Sequence, residues 1–422
     1  MKSKLIRFPN GLRLVIAPNT AVRSVAVGIF VGAGVIVEKP EENGISHFIE
    51  HMLFKGTKTR SAFDIVREMD AVGASVNAAT GKEYTKYYFS SLDTNAEKCL
   101  SILSDMYFNS VFDPVELERE RKVIFEEIDE CEDDPYDVCD EHATSEFLKG
   151  SPFEMTVLGT KESLAKLTIE DLKRYHDEKY VASNTLISIA GNMTEERAVE
   201  LVDKYFTPYF SGKTFSIPTP KSAERHSTFV SVNKEIEQAH VMLTFPSIDY
   251  DDPRRPMMSV ISCIFSSEMS SRLFQSVREK LGLCYTIDGY STSYPNKNSF
   301  YTIYTSTNKQ SVKKAVEAIK KEVDLLIKDG VTDAELSLAK EKIKTALVLG
   351  QENTRSIMNV FGIRAFILDE LFDIDERLEG INAVTKEDVL ELAREIFDTK
   401  YVCATLVSNG VDVNVLDAYL NA

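Results

Sequence analysis

Two halves of this 422-residue sequence share an ordered set of patterns, and this duplication constrains the fold more than any other feature. Residues 113–117 open a helical pattern that returns at 332–336, and the capping signal at 168–172 returns at 385–389. The strand pattern at 185–192 has a counterpart at 403–410. Matches in one order, at an offset of about 218 positions, indicate a duplicated unit of about 200 residues, a normal domain size.

A proline-rich stretch separates the two halves. Pro208, Pro218 and Pro220 lie among Ser, Thr, Gly and Lys residues that show no periodic apolar pattern. We therefore predict an N-terminal domain at 1–207, a linker at 208–225 and a homologous C-terminal domain at 226–422. Strand-like runs in each half are followed by clustered helical patterns. This arrangement predicts an α+β fold in which a mixed or antiparallel sheet is covered by helices on one face.

The composition is that of a globular protein, and its charge disfavours one class of partner. The chain has 66 acidic and 49 basic side chains, a net charge of -17, and 43% apolar residues. An acidic surface argues against nucleic acid binding. The longest apolar run, residues 25–37, is too short to span a membrane and predicts a buried strand and a turn. Residues 1–7 show no secretory signal and the six cysteines are scattered, so we expect a cytoplasmic protein with free thiols.

One short segment carries residues suited to chemistry. Residues 43–56 predict a helix that begins at Asn43, a good N-cap, and stops at Gly56. His47, Glu50 and His51 occupy positions i, i+3 and i+4 and share one stripe of this helix. Two imidazoles one turn apart can bind the same metal ion, and the carboxylate between them can reach a water on that metal. This H-x-x-E-H pattern, the reverse of H-E-x-x-H, indicates a zinc peptidase.

A catalytic zinc ion usually takes a third protein ligand. On the predicted helix 113–130, Glu120 and Glu127 lie two turns apart on one face, and Glu126 and Glu130 are close rivals. Spacing alone does not choose among these four carboxylates. The remaining histidines stand in polar contexts, and we expect them to be structural or surface residues: His142, His176, His226 and His240.

The motifs around these residues resemble those of the pitrilysin–insulinase family of zinc peptidases. The resemblance covers essentially the whole chain and is to the short two-domain branch that includes the mitochondrial processing peptidase β subunit and its bacterial relatives. It is carried by residues 10–12, 47–57, 120–128, 271–275 and 278–285. The family implies two homologous α+β domains that form half of a clam-shaped chamber, and a zinc endopeptidase acting on peptides or unfolded segments.

The resemblance implies roles for individual residues of the first half. His47, His51 and Glu127 match the zinc ligands, with one ion for each chain. Glu120 matches the supporting carboxylate that orients a ligand. Glu50 matches the general base, which takes a proton from the attacking water and can pass it to the leaving amine.

Two further groups of residues acquire roles from the same resemblance. Arg278 and Tyr285 match the arginine–tyrosine pair that binds the substrate carbonyl and stabilises the oxyanion. Asn77, Ala78 and Ala79 resemble the edge strand along which the substrate backbone lies in extended form.

The duplication distributes these parts unequally between the halves. Under the repeat offset, Ala339 and Ala346 stand where the first half has Glu120 and Glu127. The second half therefore lacks metal ligands and carries the arginine–tyrosine pair instead. Because larger relatives build their chamber from four such domains, we expect a homodimer in which the arginine–tyrosine pair of one subunit serves the zinc site of the other. Two alternatives stay open: a non-catalytic scaffold subunit of the same fold, or the active subunit of a heterodimer.

An acidic run follows the candidate zinc ligands. Residues 126–141 include ten acidic side chains and no basic one. Such a run is usually a solvated face, but it could also attract basic, presequence-like peptides as substrates.

Overall fold

A computed structural model describes residues 3–398 and 401–416 of the chain. The chain divides into two compact units: unit 1 comprises Met1–Ile128, Met155–Pro218 and Leu349–Asp373, and unit 2 comprises Asp129–Glu154, Thr219–Val348 and Ile374–Ala422. These bounds differ from the contiguous domains predicted at 1–207 and 226–422, because a segment from each half belongs to the other unit.

The strands and helices of the described residues are numbered in chain order. The strands are β1 (Lys4–Arg7), β2 (Arg13–Pro18), β3 (Ser24–Val31), β4 (Ser75–Thr80), β5 (Thr85–Leu92), β6 (Thr185–Gly191), β7 (Thr228–Val232), β8 (Gln238–Pro246), β9 (Cys284–Thr292), β10 (Phe300–Asn308) and β11 (Cys403–Val407). The α-helices are α1 (Ile45–Leu53), α2 (Ala62–Asp70), α3 (Ala96–Asn109), α4 (Pro114–Asp133), α5 (Pro135–Phe147), α6 (Lys161–Leu164), α7 (Ile169–Lys179), α8 (Glu195–Tyr205), α9 (Arg255–Phe265), α10 (Val312–Asp329), α11 (Asp333–Gly350), α12 (Thr354–Leu368), α13 (Ile374–Ala383) and α14 (Lys386–Phe397).

The two sheets share one topology, which confirms the predicted α+β fold with mixed sheets. The sheet of unit 1 has the order β1-β2-β6-β3-β5-β4, and that of unit 2 has the order β7-β11-β8-β10-β9. In unit 1 only β2 and β6 run parallel, and in unit 2 only β7 and β11 do so, among the strand pairs of the described residues. Apart from the extra strand β1, the second order reproduces the first strand for strand.

The predicted capping signals are also present in both units. Thr168 at the start of α7 and Thr385 at the start of α14 each accept a hydrogen bond from the backbone N–H of the aspartate three residues later. The aspartate side chain in turn accepts from the backbone N–H of the threonine, which completes a capping box. The repeat read from the sequence is therefore a repeat of local structure.

Each sheet is covered on both faces, whereas the sequence predicted helices on one. Successive residues of a strand point to opposite faces. Val27 and Ile29 of β3 pack in the main core of unit 1, and Phe30 packs against α12 on the other face. In unit 2, Leu243 of β8 faces the main core and Met242 faces α5.

The helices on these second faces come from the opposite half of the sequence. α12 lies in the second half but packs on the sheet of unit 1, and α5 lies in the first half but packs on the sheet of unit 2. Small residues allow α12 to approach closely, since a Cβ atom at Gly362 would lie 2.4 Å from the ring of Phe30. Because of this exchange, each unit is built from separate segments of the chain, and composition alone did not reveal that division.

The sequence contains no apolar run long enough to span a membrane as a helix. Across residues 3–398 and 401–416, none of the helices has both the length and the apolar character needed to cross a bilayer.

Candidate metal centre and catalytic site

Helix α1 carries the H-x-x-E-H residues, but it does not begin as predicted. Its first residue is Ile45 and its N-cap is Gly44, whose φ is 92°. Asn43, the predicted N-cap, is buried, and its Nδ2 donates to Glu38 Oε2 at 2.9 Å and to the Thr156 carbonyl at 2.8 Å. A local capping signal was therefore wrong here, because contacts distant in the sequence occupy the Asn43 side chain.

Helix α1 and the part of helix α4 that belongs to unit 1 bring three candidate ligands together. His47 Nε2 lies 3.7 Å from Glu127 Oε2, and His51 Nε2 lies 3.6 Å from Glu127 Oε1. One ligand atom from each of the three residues lies within 4.8 Å of the other two. Two imidazole nitrogens and one carboxylate oxygen form a donor set typical of catalytic zinc, so the residues present fit such an ion.

The geometry also distinguishes among the four carboxylates that helical spacing left as candidates for the third ligand. Glu127 is the one whose oxygen joins both histidines in the cluster, and Glu126 and Glu130 on the same helix are exposed. Glu120 is 5% exposed, and its Oε2 lies 3.1 Å from His51 Nδ1. Because an ionised carboxylate only accepts, this contact favours a proton on Nδ1 and leaves Nε2 of His51 free to bind a metal.

Lys55 completes this support, and the sequence reasoning did not single it out. Its Nζ lies 2.8 Å from Glu120 Oε1, so Glu120 contacts His51 with one oxygen and Lys55 with the other. A buried carboxylate is costly unless it is paired, and Lys55 supplies the positive charge. A signal was available, since Lys55 follows His51 by four residues within the predicted helix 43–56, although α1 itself ends at Leu53.

His47 differs from His51 in how its ring is held. Its Nδ1 is buried and makes no hydrogen bond within the part of the chain that the structure describes. Burial, and to a smaller extent the neighbouring His51, lower the pKa of His47 to about 3. The imidazole is therefore neutral near pH 7, which is the form that binds metals.

Glu50 lies on α1 between the two histidines and contacts the edge strand β4. Thr80 Oγ1 donates a hydrogen bond to Glu50 Oε2. Burial raises the pKa of Glu50, and the bond from Thr80 and the proximity of His51 oppose that shift only in part. Thr80 directly follows the segment Asn77–Ala79 that the resemblance pointed to, but its contact with Glu50 has no signal in the local sequence.

The predicted substrate strand lies at the edge of the sheet in unit 1. Asn77, Ala78 and Ala79 belong to β4, which pairs with β5 on one side and ends the strand order on the other. Asn77 and Ala79 are exposed, and Ala78 is buried. An extended peptide could therefore add to the open side of β4 through backbone hydrogen bonds.

The arginine–tyrosine pair lies in unit 2. Arg278 is on a widened helical turn, Phe274–Lys280, and Tyr285 is in β9. The guanidinium carbon of Arg278 lies 4.5 Å from the ring centre of Phe274 and 5.0 Å from that of Tyr285. The Tyr285 side chain is 75% exposed, so its phenol is available to a ligand.

Of the other four histidines, three have structural contacts and His142 is exposed, in agreement with the expectation of structural or surface roles. His176 is inside the aromatic core of unit 1 and its Nε2 contacts the Tyr107 carbonyl at 2.9 Å. In unit 2, His226 Nε2 contacts Glu146 and His240 Nδ1 contacts the Tyr304 hydroxyl. None of them joins a cluster of metal-binding side chains in the described part of the chain.

Comparisons with known proteins place the chain in a family. Residues 13–161 match the family model described as insulinase (peptidase family M16), and residues 166–343 match the one described as peptidase M16 inactive domain. A Bacillus subtilis protein named "Uncharacterized zinc protease YmxG" is 38% identical over 402 residues, which cover 95% of this chain and 97% of that protein. A zinc protease of the same description from Streptomyces coelicolor is 33% identical, over 92% of this chain and 86% of that protein.

Two solved structures share the fold. A protease from Helicobacter pylori superposes with a TM-score of 0.90 at 20% identity, over 96% of this chain and 99% of that chain. A peptidase M16 inactive domain from Pseudomonas fluorescens gives a TM-score of 0.91 at 18% identity, over 97% of this chain and 99% of that chain. With family models that together span most of the sequence and relatives above 30% identity along its length, the chain belongs to peptidase family M16, in its short two-domain form.

Proposed function

We propose that the protein is a zinc-dependent endopeptidase that hydrolyses peptides or unfolded segments. The observation that carries this proposal is the convergence of His47, His51 and Glu127 next to Glu50. One zinc ion for each chain would be held by these three ligands, which leaves a coordination position open. When bound, zinc would lower the pKa of a coordinated water and polarise the substrate carbonyl.

Glu50 acts as the general base in this proposal. Its carboxylate takes a proton from the attacking water and returns it to the leaving amine. A pKa raised by burial suits both steps, because it brings the carboxylate closer to the working pH. The hydrogen bond from Thr80 fixes one oxygen of Glu50, so the other remains available for the proton.

The substrate backbone is proposed to extend β4 as an added strand. Asn77, Ala78 and Ala79 would supply main-chain hydrogen bonds, and these depend little on the substrate sequence. The end of β4 at Thr80 contacts Glu50, so a peptide lying along this edge is led toward the base.

A test of the activity follows from the ligand set. Cleavage of a quenched peptide should stop in the presence of a metal chelator and return when zinc is added. The Glu50→Gln variant should bind zinc without cleaving. A scaffold subunit would show no metal-dependent cleavage at all, and that result would overturn the proposal.

The arginine–tyrosine pair is proposed to act across a homodimer. Arg278 and Tyr285 would bind the substrate carbonyl and stabilise the oxyanion at the zinc site of the partner subunit. Mixing Glu50→Gln chains with Arg278→Ala chains should then restore about a quarter of the wild-type activity, since about half of randomly mixed dimers contain one intact site. Absence of recovery would contradict the arrangement in trans, and activity only after adding a different protein would indicate a heterodimer.

A preference for basic, presequence-like peptides is the finer part of the proposal. Seven of the ten acidic residues between Glu126 and Glu141 are exposed. In unit 2, burial and the nearby Asp134, Asp140 and Glu130 raise the pKa of Asp137. Burial is the larger cause of this shift, and the contribution of the three neighbouring carboxylates reflects a locally concentrated negative potential. Raising the salt concentration should increase the KM for basic peptides, and an unchanged KM would contradict this preference.

A further inference from the structure

The metal-binding helix α1 has no side-chain cap of its own. The first backbone N–H groups of a helix lack partners within the helix and are normally satisfied by a nearby side chain. At α1 the N-cap is Gly44, which has no side chain to accept them. The acceptor must therefore come from elsewhere in the chain.

Glu38 supplies that acceptor from a position six residues before the N-cap. Its Oε2 accepts from the Gly44 backbone N–H at 2.8 Å, and its Oε1 accepts from the Ser46 backbone N–H at 2.9 Å. Oε2 also accepts from Asn43 Nδ2 at 2.9 Å. Glu38 is 8% exposed, so both carboxylate oxygens are held in a buried setting at the start of α1. A negative charge at this end of a helix is favoured by the helix dipole.

The residues around Glu38 fix the same turn to the rest of unit 1. Ser163 Oγ donates to the Asn43 carbonyl at 2.7 Å, and Ser46 Oγ lies 2.8 Å from the Tyr175 hydroxyl. The backbone at Gly44 is packed so closely that a Cβ atom there would lie 2.6 Å from the Leu158 carbonyl oxygen. Glu38 is thus the centre of a buried polar network around the first turn of α1.

The two histidines depend on this network to different degrees. His51 is oriented through its side chain, because Nδ1 contacts Glu120. His47 makes no such contact among the described residues, and it lies only two residues after Ile45, the first residue of α1. The direction of the His47 ring therefore follows the backbone of the first helical turn and the packing around it.

We propose that Glu38 is a positioning residue that anchors the first turn of α1 and thereby sets His47 in the geometry that a metal ion requires. This inference rests on the proposed zinc site, and it adds a residue that touches neither substrate nor metal. The shift in pKa is consistent with the placement: burial raises the pKa of Glu38, and the bonds from Gly44, Ser46 and Asn43 act against that rise.

The test compares two glutamates that cap helices in different units. Glu38→Gln keeps the size of the side chain but replaces one acceptor oxygen with an NH₂ group that faces backbone donors. Glu335→Gln is the matched control, because Glu335 Oε2 accepts from the Thr332 backbone N–H at 2.8 Å at the start of α11, in the unit without the metal cluster. Zinc affinity is measured by competition with a chelator, and amide hydrogen exchange is measured in the zinc-free proteins.

We expect Glu38→Gln to weaken zinc binding about tenfold and to accelerate amide exchange over residues 44–50. Glu335→Gln should lower thermal stability and leave both quantities unchanged. Unchanged zinc affinity and unchanged exchange in Glu38→Gln would overturn the proposal. If Glu38→Gln does not fold, Asn43→Ala removes one bond to Glu38, and a threefold weaker zinc affinity with faster exchange over the same residues is expected; no change again overturns it.

These readouts separate this inference from the proposed activity. Wild type that binds zinc but cleaves no peptide would remove the proposed function and leave the role of Glu38 standing. Wild type that binds no zinc would remove the zinc site, and the loss of the site overturns the positioning role with it.

Discussion

The two units have the same framework, and two pairs of corresponding helices carry different side chains in them. α1 packs beside the edge strand β4 in unit 1, and α9 packs beside the edge strand β9 in unit 2. The face of α1 that looks toward its edge strand carries Glu50. The corresponding face of α9 carries Met258, Ser259 and Ser262, which line a small pocket of about 180 Å³ together with residues of β9.

The second difference lies on the helices that follow. Glu120 on α4 is 5% exposed, and Ala339, its counterpart on α11, is 2% exposed. A buried carboxylate costs free energy unless it is compensated, and Glu120 is compensated by His51 and Lys55. Unit 2 shows that the framework packs with an alanine at that position, so the charged cluster of unit 1 is not required for the fold.

The largest expected effect tests whether unit 1 alone holds the metal. Glu127→Ala should abolish stoichiometric zinc binding and reduce peptide cleavage by about 10⁴-fold or more, because only two protein ligands remain. Glu126→Ala, one residue earlier on α4, should retain both properties, since Glu126 is exposed and outside the cluster. Metal content by atomic emission and kcat/KM on a quenched peptide measure the pair. If Glu127→Ala retained zinc, the assignment of the metal site to the three ligands in unit 1 would be wrong.

The next effect separates metal binding from proton transfer. Glu50→Gln should lower kcat by about 10³-fold while zinc content stays near one ion for each chain, because an amide cannot accept the proton. Ser262→Ala on α9 is the control, and it should leave kcat unchanged. Steady-state kinetics together with metal analysis check this prediction. Substantial activity in Glu50→Gln would assign the base to another residue.

A smaller effect asks whether unit 2 takes part in the reaction at all. Arg278→Ala should lower kcat about 10²-fold without loss of zinc, as expected when a group that stabilises developing negative charge is removed. Arg272→Ala is a contrasting variant, because Arg272 is paired with Glu335 and should affect stability instead. Full activity of Arg278→Ala would mean that Arg278 takes no part in the reaction. The role of unit 2 would then be structural, and the chemistry would be confined to unit 1.

Local sequence patterns predicted the elements of both units well, since those patterns act over one or two turns. The strands at 185–192 and 403–410 and the capping boxes at Thr168 and Thr385 are present where they were expected. The stripe of His47, Glu50 and His51 follows from helical periodicity alone. These features need no knowledge of distant contacts.

The features that the sequence did not predict all depend on distant contacts. The cap at α1 comes from Glu38 and displaces the role expected of Asn43. Glu50 is oriented by Thr80, which is thirty residues away. Helical spacing alone did not choose Glu127 over its neighbours, and only the family resemblance pointed to it before the contacts between α4 and α1 were known. The exchange of α5 and α12 between units leaves no mark in composition.

The smallest effect contrasts two glutamates whose pKa values move in opposite directions. In unit 2, burial acts to raise the pKa of Glu335, but the bonds from Arg272 and Thr332 outweigh it and lower the pKa to about 2. Its contribution to stability is therefore complete above pH 4.5 and is lost as the pH falls toward 2. In unit 1, burial raises the pKa of Glu83 to about 7, so stability is complete below pH 4.5 and declines as the pH rises through 7.

Substitution by glutamine should reduce the pH dependence of the free energy of unfolding, in a different pH range for each glutamate. Glu335→Gln should remove about 1–2 kcal/mol of the acid dependence below pH 4.5, and Glu83→Gln should remove a similar amount of the decline between pH 4.5 and 7, after allowance for solvent screening. Thermal denaturation from pH 3 to 8 measures both, with each variant serving as the control for the other. Where the melting curve shows two transitions, tryptic fragmentation after partial melting assigns each transition to its unit. Parallel profiles for the two variants would show that these carboxylates experience the same environment, and the contrast between the units would then be confined to the metal-binding face.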